Sequence, residues 1–125
     1  MAGDDITMFT IEASKYEVLT KDKEKILIAL AQQEPPDELA WAKLTKHNIK
    51  LVISIAKKYV GQGLAFEDLI QEGMMGLMKG IDKFDLEKRV AGKPLALSTY
   101  ATWWIRQTIT RAIDNTSRWY SCSYS

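Results

Sequence analysis

Apolar residues recur along this chain at spacings of three and four, and that helical period is interrupted at Pro35-Pro36, at Gly61-Gln62-Gly63 and in the segment holding Gly92 and Pro94. No stretch sustains the two-residue alternation of a half-buried strand, so the expected fold is all-α, a helical bundle of about four helices. Thr20 is placed to cap a first helix over Lys21 to Gln33, with Ile26, Leu27 and Leu30 on one side and Pro35-Pro36 ending it. A second, long helix is expected from Asp37 to Val60, where Leu44, Leu51, Val52, Ile55 and Tyr59 form an apolar stripe. The third runs from Phe66 to Phe84, and Ser98 starts a fourth that reaches Thr116.

The chain is long enough at 125 residues to bury a core without staples, and its 46% apolar and 26% charged composition is that of a globular domain. A single cysteine, Cys122, rules out an internal disulfide framework, and with one histidine, His47, neither a Cys-rich zinc site nor a histidine metal centre can be built. No metal or other cofactor is expected. No apolar run approaches the roughly 20 residues of a membrane span, and the acidic start Met-Ala-Gly-Asp-Asp is no signal peptide, so a cytoplasmic protein is expected. The net charge of +1 conceals a polarity: residues 1–40 hold 9 acids and 4 bases (−5), residues 41–84 hold 4 and 7 (+3), and residues 85–125 hold 3 and 6 (+3). An acidic arm thus precedes a mildly basic body, a distribution suited to a negatively charged partner.

The fourth helix carries two unlike faces. Ala101, Ile105, Ile109, Ala112 and Ile113 form an aliphatic stripe fit for a core, while Tyr100, Trp103, Trp104, Gln107, Thr110, Arg111 and Asp114 fall on the opposite side. Three large rings among polar groups either lie under another segment or await something that docks on them. Aromatic planes stack on unpaired bases, arginine meets phosphate, and glutamine reads a base edge. The third helix is similarly divided. Phe66, Leu69, Ile70, Leu77, Ile81 and Phe84 share the apolar side, opposite Asp68, Gln71, Glu72, Met75 and Lys79. That second set is either a solvated face or a protein interface in which Met adapts and the acids meet arginines. Asp68 and Glu72 share a helix face, but no nucleophile and base accompany them, and no enzyme is read here.

The run Asp68-Leu69-Ile70-Gln71-Glu72-Gly73-Met74-Met75-Gly76-Leu77-Met78-Lys79, followed by Ser98-Thr99-Tyr100-Ala101-Thr102-Trp103-Trp104-Ile105-Arg106-Gln107, closely resembles region 2 of bacterial sigma factors of the sigma-70 family. Asn48 to Tyr59 is similar to that family's first core segment, and Asp5 to Thr20 is more loosely similar to its region 1.2. The resemblance spans residues 5 to 118 and implies a region 1.2-like arm over residues 1–36, a region 2 domain over 37–118 and a disordered tail over 119–125. It describes a factor truncated before regions 3 and 4.

What the resemblance implies is delegated chemistry, in which the factor positions DNA and RNA polymerase catalyses. By position, Ile49, Val52, Asp68, Gln71, Glu72, Met75 and Met78 would touch the clamp helices of the polymerase largest subunit. Tyr100 would stack on the flipped adenine of the nontemplate strand in the minus-ten promoter element, with Phe84 close to its pocket. Trp103 and Trp104 would wedge at the upstream edge of the melted bubble, and Gln107 and Thr110 would face the upstream base pair. Lys79, Lys83, Arg106 and Arg111 would hold phosphates, and Asn48 with Leu51 would help pocket a downstream flipped thymine.

The sequence departs from the family at Met74, where Asn is usual, and between Phe84 and Ser98, where the chain is longer and Leu95-Ala96-Leu97 replace an aromatic, basic stretch. Lys88, Arg89 and Lys93 restore charge from that longer loop. A rival function is a truncated sigma-like regulator that occupies the polymerase clamp without opening promoters. Both functions use the third-helix face, and only initiation requires the aromatic face to read DNA.

Overall fold

The computed structural model describes residues 20–124, with side chains described as far as Thr116. The expected region 1.2 likeness over residues 5–19 lies outside the described residues. Helix α1, Lys21–Gln32, starts where Thr20 Oγ1 accepts from the Lys23 amide at 3.4 Å, and Asp22 and Glu24 place negative charge in its first turn. Its buried side is Ile28 and Ala31, with Leu27 and Leu30 flanking, whereas Ile26 is exposed. The inward face is therefore rotated from the expected Ile26-Leu27-Leu30 set.

The expected long second helix is two helices. Asp37 caps α2, Glu38–His47, its carboxylate accepting from Leu39 N at 2.9 Å and Ala40 N at 3.1 Å. At Asn48 the backbone leaves helical geometry (φ −106°, ψ 6°), and α3, Ile49–Ala56, follows with a 3-10 turn at Lys57–Tyr59. The Asn48 side-chain amide donates to the Leu44 carbonyl at 2.8 Å inside the bend. An asparagine that offers the backbone such a local alternative is a poor residue for a helix interior. The apolar stripe nevertheless continues across the bend, because Leu44, Val52 and Ile55 all reach one core.

Gly61 and Gly63, both at positive φ, turn the chain into α4, Phe66–Lys83. The C-terminus of α4 is closed from a distance, since the Gln32 amide donates to the carbonyls of Ile81 at 2.9 Å and Phe84 at 2.7 Å. The Trp41 indole likewise donates to the Ala31 carbonyl at the end of α1, at 2.9 Å.

The segment after α4 holds a small hairpin, β1 (Arg89–Val90) against β2 (Lys93–Pro94), antiparallel with Arg89 opposite Pro94 and Val90 opposite Lys93. Its two turn residues, Ala91 (φ 54°) and Gly92 (φ 78°), both lie in the left-handed region that tight hairpin turns require. Helix α5 runs Leu97–Tyr124, beginning one residue before the expected Ser98 cap and staying helical past Thr116 through residues expected as a tail.

The core is formed by one cluster to which every helix contributes: Ile28 and Ala31 from α1, Leu44 from α2, Val52 and Ile55 from α3, Leu69, Leu77 and Ile81 from α4, and Ala101, Ile105 and Ile109 from α5. The aliphatic stripe of α5 is buried as its spacing predicts. α4 meets α5 across Gly73, Gly76 and Gly80. A Cβ added at Gly76 would lie 2.6 Å from the Trp104 carbonyl oxygen and 2.9 Å from the Ile105 Cα, so the helices touch backbone to backbone there.

Candidate nucleic-acid interface

The close approach of α4 and α5 decides where the α5 rings lie. With only hydrogen on Gly80, Trp104 settles over it, the position of an added Cβ lying 3.2 Å from Trp104 Cδ1. From there a row of rings runs along the helix pair. Phe84 at the end of α4 meets Tyr100 edge to face, centroids 5.7 Å apart, Tyr100 meets Trp104 at 6.4 Å, and Trp104 meets Trp103 at 5.1 Å with the planes at 89°. Each step has the T-shaped geometry that aromatic quadrupoles favour. Burial falls along the row. Phe84 is 7% exposed, Tyr100 and Trp104 are half-buried, and Trp103 is 57% exposed. The two alternatives for the aromatic face thus resolve ring by ring, with a buried floor at one end and an open plane at the other.

Polar groups edge the row. Lys83 places its ammonium 6.0 Å from the Trp104 ring centroid, and its carbonyl accepts from the Tyr100 hydroxyl at 3.4 Å. Trp104 Nε1 and Gln107 Oε1 are buried with no hydrogen-bond partner among the described residues, one donor and one acceptor in adjacent turns. Unmade bonds of this kind cost about 1–3 kcal/mol each and are relieved by any partner that supplies them. The exposed Thr110 hydroxyl donates to the Arg106 carbonyl at 2.8 Å, with the Gln107 carbonyl at 3.2 Å. Lys79, Arg106 and Arg111 are exposed.

The second candidate surface lies on α4. Asp68, Gln71, Met75 and Met78 are exposed, Met75 at 53% and Met78 at 48%, while Glu72 is half-buried beside them and Ile49 of α3 is half-buried. Two methionines standing that far into solvent make an apolar surface rimmed by acid and amide groups. Met74 packs against the core instead.

Two expected contact residues are placed elsewhere. Val52 is fully buried, and a Cβ on Gly73 would come within 2.8 Å of its Cγ1, so it packs the core and offers no surface to a partner. Asn48 is 9% exposed and its side-chain amide is engaged with the Leu44 carbonyl at the bend between α2 and α3, beside the half-buried Leu51. What the sequence reading missed is the glycine set. The signal was present, because each glycine costs a helix interior about 1 kcal/mol relative to alanine and three at helical spacing require a reason such as close packing.

Beneath the Phe84 end is a small cavity lined by Glu24, Ile28, Phe84, Leu86 and Leu95 among others. Burial raises the Glu24 carboxyl above its ordinary value, opposed by a hydrogen bond from the Leu97 backbone at the start of α5 and by the charge of Lys21. No cluster of three or more His, Cys, Asp or Glu that could hold a metal occurs among the described residues, and none of their helices is long and apolar enough to cross a membrane.

A graded row of rings among cations has the chemistry of a surface that takes unpaired bases, carried here on a helical bundle. Residues 44–118 match the family model described as sigma-70 region 2. The chain is 50% identical over 117 residues to the RNA polymerase sigma factor SigA of Listeria monocytogenes serovar 1/2a, and to the same degree to SigA of Listeria innocua serovar 6a. Each alignment spans 93% of this chain and 29% of the relative, so the chain corresponds to less than a third of the length of these proteins. The chain belongs to the sigma-70 family.

Proposed function

We propose that this chain is a transcription initiation module that binds RNA polymerase core through α4 and captures melted promoter DNA on the aromatic row. The observation that carries the proposal is the grading of that row. A base stacked against Tyr100 would meet a ring already braced edge to face by the buried Phe84, while Trp103 offers a plane of its own at the open end. Stacking of this kind contributes about 1–3 kcal/mol per base. Tyr100 would take the flipped adenine of the nontemplate minus-ten strand, and Trp103 with Trp104 would stand against the upstream edge of the bubble. Gln107 and Thr110 would face the upstream pair, with Lys79, Lys83, Arg106 and Arg111 along the phosphates. Asp68, Gln71, Glu72, Met75 and Met78, with Ile49 beside them, would form the contact with the clamp helices of the largest subunit. The chain breaks no bond in this scheme, and the polymerase performs the chemistry.

Run-off transcription with core polymerase on a template carrying an extended minus-ten element tests the proposal. Added chain should give promoter-dependent transcript. Core binding without transcript would instead favour a regulator that only occupies the clamp.

A further inference from the structure

Resting on the proposed binding of core polymerase through α4, we propose that Met75 and Met78 form a modification site, at which oxidation by hydrogen peroxide to methionine sulfoxide weakens the hold of the chain on the polymerase. Met75 is 53% and Met78 48% exposed, so both side chains are open to a small oxidant in the free chain. Met74, in the same helix, packs against the core and is sheltered. Burial therefore divides three closely spaced methionines into two reactive positions and one protected one.

The two reactive positions are also the apolar part of the face. On the helix surface Met75 has Gln71 one turn before it, Lys79 one turn after, and Glu72 and Met78 three residues to either side. A flexible thioether suits such a place because it adapts its shape to a partner. Oxidation removes that fit. The sulfur lone pair attacks one peroxide oxygen, an S–O bond forms as the O–O bond breaks, and the departing hydroxide takes the proton of the transferred oxygen to leave as water. The thioether has lost two electrons and become polar and chiral. A partner surface shaped to an apolar side chain holds no donor for the new oxygen, and burying it unpaired carries the cost of an unmade hydrogen bond. Neither methionine belongs to the core cluster, so the lesion touches the contact and spares the fold. Enzymatic reduction of the sulfoxide restores the thioether, which makes the loss reversible.

The test treats the full chain with hydrogen peroxide, clears the oxidant with catalase, and reduces the sample with dithiothreitol, which reverses disulfide formation at Cys122 and leaves sulfoxides in place. Peptide mass spectrometry should find Met75 and Met78 oxidised well before Met74. Affinity for core polymerase, read by fluorescence anisotropy of a labelled chain, should fall on the order of tenfold or more, with the circular dichroism melting curve unchanged. Methionine sulfoxide reductases A and B together should restore it. The double variant Met75→Leu and Met78→Leu, compared with its own untreated sample, should show no peroxide-dependent change whatever its starting affinity. Equal loss in that variant would place the lesion elsewhere and overturn the site, as would oxidation of Met74 at the same rate or loss of binding through unfolding. Failure of the untreated chain to bind core polymerase would remove the α4 contact and this inference with it, whereas wild-type binding that survives oxidation of both residues overturns the inference alone.

Discussion

Gly76 of α4 lies against the peptide of Trp104 in α5, so closely that a Cβ there would stand 2.6 Å from the Trp104 carbonyl oxygen. The aromatic row is consequently mounted on the backbone contact of two helices.

That contact separates two otherwise similar substitutions. Alanine is worth about 1 kcal/mol over glycine in a helix interior. At Gly76 the added methyl meets backbone, which cannot yield, and overpacking of about 1–3 kcal/mol or more should outweigh the gain. At Gly80 it meets the Trp104 ring at 3.2 Å and the Ala101 Cα at 3.3 Å, so small shifts suffice. Thermal unfolding should show a clear loss for Gly76→Ala and little change for Gly80→Ala, with the latter altering tryptophan fluorescence.

Tyr100→Ala should divide function from stability. The ring is half-buried and its hydroxyl bond to Lys83 is long at 3.4 Å, so folding should suffer less than the ~3–5 kcal/mol of a fully buried ring. Loss of base stacking should cost ~1–3 kcal/mol of open-strand binding, a five- to 150-fold effect, with core polymerase affinity unchanged. Opening of a fluorescent minus-ten bubble, measured beside the melting curve, checks both halves. Unchanged opening would speak for occupation of the clamp alone.

On α4, Gln71 is exposed and Glu72 half-buried, and neither belongs to the core cluster. Gln71→Ala and Glu72→Lys should each weaken core polymerase binding by about 2 kcal/mol, roughly thirtyfold, with Gln71→Ala leaving the melting temperature unchanged. Capture of core polymerase by Glu72→Lys at wild-type strength would contradict the assigned face.

Glu24 makes stability depend on pH. Burial raises its carboxyl above the ordinary 4.5, so between that value and its folded value the native chain keeps a proton that the unfolded chain has released. Its contribution to stability is thus most favourable in acid and declines as pH rises through that window. Glu24→Gln, which removes the buried charge and retains an oxygen for the Leu97 amide, should raise the melting temperature at neutral pH. The gain should vanish below about pH 4.5. Urea unfolding at the two pH values measures it.

What the sequence by itself determined was local. Thr20 and Asp37 begin helices because each side-chain oxygen needs only an amide two or three residues on, and the Ala101-Ile105-Ile109-Ile113 stripe is buried because its period is that of the helix itself. The chemistry of the candidate surfaces was legible for the same reason, since Tyr100, Trp103 and Trp104 fall opposite that stripe whatever packs upon it. Tertiary structure decided the rest. Whether Val52 is core or surface, and which of three neighbouring rings stands open, depend on groups far along the chain. Gln32 closes α4 across about fifty residues of chain, with bonds that no local window contains. A helix specifies its own period from residues one turn apart, but its ends and its close contacts are completed by whatever polar group or missing side chain the fold brings beside them.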